Sequence, residues 1–264
     1  MQTIDGDPYS EEDWRRRARY EPLAEIIQGK GSSECAVGVG TTDEECHFEQ
    51  FLPLCDVGES RGWITATSMV RDGLKRGLEL QQTLGQNPFR LGFVGSTDTH
   101  NSNSGDTEEY DYRGVVGLRE SPAVVRMDPE TRPRWPMHLT PGGLTGVWAD
   151  ENTSDALFNS LQQREAYAIS GTRIRLQFFA GHGYTDDMLY SDTGIAEAYA
   201  RGVPMGGELL MPTNVEPTFL LRAEMDAMTV PLDCVQVING WVRDGSSEEK
   251  IYDIVCSDGR LPNP

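Results

Sequence analysis

The spacing of apolar residues predicts three helices. Residues 10–20 begin with Ser10, a residue type that caps helices, and continue with acids and then arginines. Residues 66–84 carry an apolar stripe at helical spacing, and Gly85 follows at the position where such a helix ends. A third helix is predicted over residues 153–164.

Short apolar or alternating runs predict strands. They cover residues 23–28, 89–95, 172–179, 218–224, 234–239 and 250–256. In the run 172–179, apolar residues alternate with polar ones, and Gln177 belongs to the polar set. Residues 36–60 and 101–145 have no clear period, so we expect long loops there. The chain therefore predicts an α/β region over residues 1–180, followed by a region rich in antiparallel β structure over 181–264.

The composition narrows the classes of partner. Lysine and arginine number 23 against 42 aspartate and glutamate residues, which gives a net charge of −19 over 264 residues. Such a surface repels nucleic-acid phosphates and anionic lipids, so we expect a small-molecule partner instead. No apolar run reaches the length of a membrane span, and no signal peptide is seen. The compartment stays open, with a periplasmic or exported parent protein as one alternative.

The five cysteines do not form a recognisable metal motif, because no pair has Cys-x-x-Cys spacing. Cys35 and Cys46 lie in one loop, where they pair if the compartment is oxidising. We expect plain buried thiols instead, which is the commoner state of cysteine in reducing compartments.

Asp98 and His100 are the strongest candidates for chemistry. They follow the apolar run Leu91–Gly95 directly, and α/β proteins place sites where buried strands end in loops. In an extended segment, residues two apart point to the same side, so a carboxylate and an imidazole would face one point. That donor pair suits a divalent ion of the zinc, manganese or iron type. The structural alternative is a capping aspartate beside a surface histidine.

Seven segments carry a family resemblance that extends over nearly the whole chain. They are Glu21–Cys35, Thr42–Cys46, Asn87–His100, Gly142–Thr153, Tyr167–Ile174, Gly202–Gly207 and Val235–Trp241. In these segments the chain resembles family 3604 of the domains of unknown function, a branch of the polymerase-and-histidinol-phosphatase (PHP) superfamily of metal-dependent hydrolases.

The resemblance implies a distorted β/α barrel, related to the TIM barrel, with up to three metal ions at the carboxyl ends of its strands. The last superfamily motif, Asp-x-His, matches Asp98 and His100. The opening His-x-His motif has no counterpart here, since the chain has four histidines and none has that spacing. We therefore expect the second half of a barrel plus part of a β-rich extension, as a fragment of a longer protein.

Three further residues are candidates beside this pair. Glu34 and Lys30 lie in a glycine-rich loop after a strand, where they are catalytic candidates, Glu34 as a metal ligand and Lys30 as an anion contact. Arg90 precedes the Asp98 strand and is a candidate for binding a substrate anion. The alternative for all three is an ordinary solvated charge.

These observations predict a divalent-metal-dependent hydrolase, with phosphoesters as the first choice of substrate class. One alternative is a binding or scaffold module that has kept the fold without catalysis. Another is a hydrolase of a different ester class that completes its site with Glu34 and His182.

Overall fold

The computed structural model describes residues 1–51, 54, 64–65, 67–115, 122–128, 140–210, 212 and 214–260. The helices are α1 (Glu11–Tyr20), α2 (Val70–Leu84), α3 (Ala123–Arg126), α4 (Ser154–Gln162) and α5 (Gly194–Arg201). The strands are β1 (Leu23–Gln28), β2 (Gly31–Ser32), β3 (Gly92–Gly95), β4 (Leu144–Val147), β5 (Ala166–Ile169), β6 (Arg175–Gly181), β7 (Gly202–Pro204), β8 (Thr218–Glu224), β9 (Cys234–Arg243) and β10 (Ser246–Cys256).

The three predicted helices are confirmed, together with the chemistry of their ends. The Ser10 hydroxyl accepts the Asp13 amide at the start of α1, and the Asp13 carboxylate accepts the Ser10 amide at 2.9 Å. This reciprocal capping box satisfies donors that the first turn leaves free. Helix α2 ends at Gly85 with φ of 69°, a left-handed conformation that glycine adopts without steric cost.

The predicted barrel is wrong. The described strands form four small open sheets, in the orders β2-β1-β3, β10-β9, β4-β5 and β7-β6-β8. A β/α barrel requires a closed ring of parallel strands, but β1 and β3 are the one parallel pair of strands in the described residues, and the other strand ladders are antiparallel. The β-rich character therefore extends well before residue 181. The division at 180/181 stays a prediction, although β6 bonds to β7 and β8 across it.

Side-chain bonds join β4 to β3 where no strand ladder does. The Thr145 hydroxyl accepts the Gly95 amide at 3.1 Å and donates to the Gly95 carbonyl at 2.8 Å. The Gly143 amide donates to the Ser96 carbonyl at 2.7 Å. Strands β1, β3, β4 and β5 consequently form one layer, with the carboxyl ends of β1 and β3 at one edge.

Strand β6 has the unexpected face buried. Phe179 is buried in a cluster with Met188, Ala198 and Leu220, beneath α5. Gln177 lies two residues earlier and so shares that face, and it is buried although the alternation placed it with the polar residues. The stacked ring of Phe178 instead lies on the opposite face against the exposed Phe219. The alternation predicted the strand, but it could not tell which face α5 covers.

Candidate metal site

The loops after β1 and β3 meet at the shared carboxyl edge of these strands. The Gly29 carbonyl accepts the Thr140 amide at 2.9 Å, so the segment before β4 joins them. At Gly142, with φ of 79°, a β-carbon would lie 2.6 Å from the Ser96 carbonyl oxygen. Glycine is therefore required at Gly142, where three backbone segments converge.

Asp98 and His100 lie in the loop after β3 with exposed side chains. Asp98 has φ of 54°, which is left-handed rather than extended. The premise that residues two apart face one side consequently fails here, because the backbone turns at Asp98. Their role as metal ligands is a separate matter and stays a prediction.

The turn at Asp98 fixes the ring of His100 in another way. His100 Nδ1 lies 2.8 Å from the carbonyl oxygen of Asp98. A carbonyl oxygen only accepts, so Nδ1 carries the proton and donates. In the neutral imidazole this leaves the lone pair on Nε2, and Nε2 is then the atom that can bind a metal ion. The backbone amide of His100 is held as well, by the Val115 carbonyl at 2.7 Å.

Lys30 belongs to the same edge. Its ammonium donates to the Ser33 hydroxyl. Burial lowers the pKa of Lys30, while the negative charges of Glu25 and Asp98 act in the opposite direction. The residues just before Lys30 and Asp98 are in contact, because a β-carbon at Gly29 would lie 3.0 Å from the Thr97 carbonyl oxygen. We call Lys30, Asp98 and His100 the strand-end site.

Glu34 points elsewhere, into a buried ionic cluster. Its carboxylate pairs with Arg71 of α2, whose guanidinium also donates to Asp43 at 2.7 Å. Glu249 of β10 completes the cluster, 3.9 Å from Arg71 and 3.5 Å from Lys75. Burial opposes the charge of Arg71, but the carboxylates of Asp43 and Glu34 outweigh it and raise its pKa. We call these five residues the Arg71 network.

The expectation of free thiols is wrong. Cys35 and Cys46 form a disulfide beside the Arg71 network, with Cα atoms 5.3 Å apart, and Cys234 joins Cys256 across the β9–β10 hairpin. In both disulfides the chain reverses direction and brings the two cysteines close together, which the spacing in the sequence does not reveal. Cys55 lies outside the described residues. Among those described, Cys35, Asp43 and Cys46 are the one group of three close metal-type donors, and the disulfide occupies both sulfur atoms.

Arg90 is also separate from the strand-end site. It precedes β3, whereas Asp98 follows that strand, and its guanidinium pairs with Glu208 at 2.6 Å. With Arg71, Lys75 and Arg164 it lines a cavity of about 400 Å³ between α2 and the β9–β10 hairpin. The structure therefore does not place Arg90 with Asp98.

Sequence reasoning missed Arg71, although a signal existed. Arg71, Leu74, Lys75 and Leu78 follow the i, i+3, i+4, i+7 spacing of one helix face, and all four line the same cavity. A charged residue on the apolar face of a helix needs a buried partner. That pattern predicts an internal ion pair, though not the identity of its carboxylates.

The chain belongs to the family described as protein of unknown function (DUF3604), whose model matches residues 1–264. No curated protein matched the chain, and no solved structure did. Within the described residues, every helix is too short or too polar to cross a membrane.

Proposed function

We propose that the strand-end site is the centre of a divalent-metal-dependent hydrolase that acts on phosphoesters. The observation that carries the proposal is the bond from His100 Nδ1 to the Asp98 carbonyl, because it leaves Nε2 available as a ligand. Asp98 adds an exposed carboxylate that has no ion-pair partner among the residues described. The resemblance of Asp98 and His100 to the Asp-x-His motif of the PHP superfamily supports the same assignment, although the barrel that the resemblance implied is wrong.

The donor types fit a zinc, manganese or iron ion, and Asp98 and His100 would hold it. Such an ion, when bound, supplies a water of lowered pKa and offsets charge on a substrate oxygen. The loop of Lys30 touches the loop of Asp98 at Gly29 and Thr97, so the Lys30 ammonium would attract a phosphoryl oxygen of a substrate bound there. Its partial burial strengthens that attraction, since water screens the charge less.

A binding module without catalysis is the second candidate. In the described part of the chain, no third histidine, cysteine or carboxylate forms a group with Asp98 and His100 in which all donor atoms lie within 4.8 Å of one another. Two ligands bind a metal less firmly than a closed site does. The other alternative, a hydrolase of a different ester class that uses Glu34 and His182, loses support because the carboxylate of Glu34 pairs with Arg71.

Hydrolysis of p-nitrophenyl phosphate, its diester and p-nitrophenyl acetate, each with added Mn²⁺, Zn²⁺ or Fe²⁺, tests the proposal. We expect phosphoester turnover that Asp98→Ala and His100→Ala each reduce by roughly a hundredfold or more, since losing a metal ligand costs at least as much as losing a residue that hydrogen-bonds to a ligand. The matched control is His182→Ala, an exposed loop histidine. Turnover that survives both ligand variants contradicts the assignment, and a silent panel with intact metal binding favours the binding module.

A further inference from the structure

A second cleft lies at the other end of the strand layer. Strand β4 runs antiparallel to β5, and Gly92 at the start of β3 lies against Arg164, just before β5. The carboxyl end of β4 is therefore opposite the strand-end site. There, the Trp148 amide donates to the Glu165 carbonyl at 3.1 Å and extends the β4–β5 ladder by one pair. The cleft between this end, α4, β6 and α5 encloses about 760 Å³, a size typical of small-molecule sites.

The charge of this cleft is entirely negative. Its lining includes Asp150, Glu151, Asp155 and Glu165, but no lysine or arginine. None of these carboxylates forms an ion pair with the described residues, in contrast to the acids of the Arg71 network. Burial raises the pKa of Glu165 and the charge of Asp150 adds to the effect, against a hydrogen bond from Tyr199 that lowers it. The lining therefore carries no cation, and the two arginines of the adjoining pocket, Arg175 and Arg222, are paired with Glu224.

An independent feature is the side chain of Gln177, which lines the cleft from β6. Gln177 is only 8% exposed, yet its amide group makes no hydrogen bond to any part of the chain that the structure describes. It shares its strand face with the core residue Phe179, but its amide atoms keep contact with solvent, so the cleft is where they find hydrogen-bond partners. A ligand in the cleft would satisfy this side chain, because the amide oxygen accepts up to two hydrogen bonds.

Aromatic rings flank these polar groups. Trp148 and Tyr199 both line the cleft, and the indole nitrogen of Trp148 is held by the Leu176 carbonyl at 2.7 Å. The Tyr199 hydroxyl donates to Glu165. Held aromatic rings of this kind attract ammonium groups through their faces and pack against alkyl chains.

We propose that this cleft binds an organic amine, a small alkyl chain that carries ammonium groups. Asp150 and Glu165 contact one ammonium group, the Gln177 amide oxygen accepts one of its N–H bonds, and Trp148 packs on the chain. A bare metal ion fits less well. Within the described residues, no three of these carboxylates converge closely enough to coordinate one ion.

Titration calorimetry with 1,4-diaminobutane tests this assignment. We expect one site per chain, weakened by about tenfold or more in Asp150→Asn and in Gln177→Leu, as each loses a contact to a charged group. The control Glu216→Gln removes the same charge from an exposed position outside the cleft, and we expect a change below about twofold. The neutral isostere 1,4-butanediol should not bind, and Mg²⁺ at equal concentration should not displace the diamine.

The proposal is overturned if the diamine does not bind, if Glu216→Gln weakens binding as much as Asp150→Asn, or if Mg²⁺ competes equally. The last two results would mean diffuse attraction to an acidic surface. Asp150 is exposed, so its variant decides the matter even if Gln177→Leu fails to fold. Diamine binding should be unchanged in Asp98→Ala, which separates this site from the hydrolase proposal.

Discussion

The Arg71 network and the strand-end site are both made of charged residues, but their charges have different partners. In the network, Arg71 contacts Glu34 and Asp43, and the side chains of Asp43 and Glu249 are only 7% and 6% exposed. At the strand-end site, the side chains of Asp98 and His100 are exposed, and the Nε2 atom of His100 makes no hydrogen bond to the described residues. Charges that are buried and mutually paired hold the fold together, whereas exposed, unpaired donors are free to bind something else.

The comparison also corrects the grouping that sequence suggests. Lys30 and Glu34 are four residues apart in one loop, and both were candidates for the same catalytic site. The loop of Lys30 touches the loop of Asp98 at Gly29 and Thr97, whereas the carboxylate of Glu34 pairs with Arg71. Proximity in sequence therefore joined residues that belong to two different regions.

Replacing Arg71 should have the largest effect. Arg71→Leu leaves Asp43 buried without its ion-pair partner, whereas Glu249 keeps Lys75 at 3.5 Å, and breaking a buried pair costs about 3–5 kcal/mol. Urea unfolding measures the loss. The control is Arg76→Ala in the same helix, because its pair with Asp72 is half-exposed and contributes about 0–1 kcal/mol. Equal losses in the two variants would show that the network does not stabilise the fold.

Removing the disulfide beside the network should have the next largest effect. A Cys35→Ser, Cys46→Ser double variant should lose about 2–4 kcal/mol, through the freer unfolded chain. Arg71 Nη1 lies 3.8 Å from Cys46 Sγ, so this loss should couple to Arg71→Leu by about 0.5–3 kcal/mol in a mutant cycle. The pair Cys234 and Cys256 is the control, and its loss should add to Arg71→Leu without coupling. Additive behaviour of Cys35 and Cys46 would separate the disulfide from the network.

The smallest expected effect is a pH dependence due to Lys30. Its pKa in the folded state is lowered, so the unfolded chain binds more protons between that value and the usual 10.5. The free energy of unfolding should therefore rise with pH in this window through the Lys30 contribution. Lys30→Met should remove that contribution, and Lys250→Met on exposed β10 should retain it. A slope that Lys30→Met leaves unchanged would show that Lys30 is not held in a buried environment.

Local rules predicted α1, α2, α4 and six of the strands, but they missed α3, α5, β2, β4, β5 and β7. The cap at Ser10, the glycine after α2 and the bounds of β1 and β8 follow from spacing and turn chemistry alone. Local spacing and turn chemistry could not test the predicted barrel, because the order of strands in a sheet depends on contacts between distant segments. The same limit hid the Cys234–Cys256 bond, the buried face of Gln177 and the pairing of Glu34 with Arg71.

Direct measurement of metal binding tests the assignment of Asp98 and His100 most directly. Wild-type protein is dialysed against Zn²⁺ or Mn²⁺, and its metal content and affinity are compared with those of Asp98→Ala, His100→Ala and the control His182→Ala. We expect the wild type and His182→Ala to bind alike, and each ligand variant to lose about tenfold or more in affinity. Wild-type affinity in both Asp98→Ala and His100→Ala would contradict the assignment.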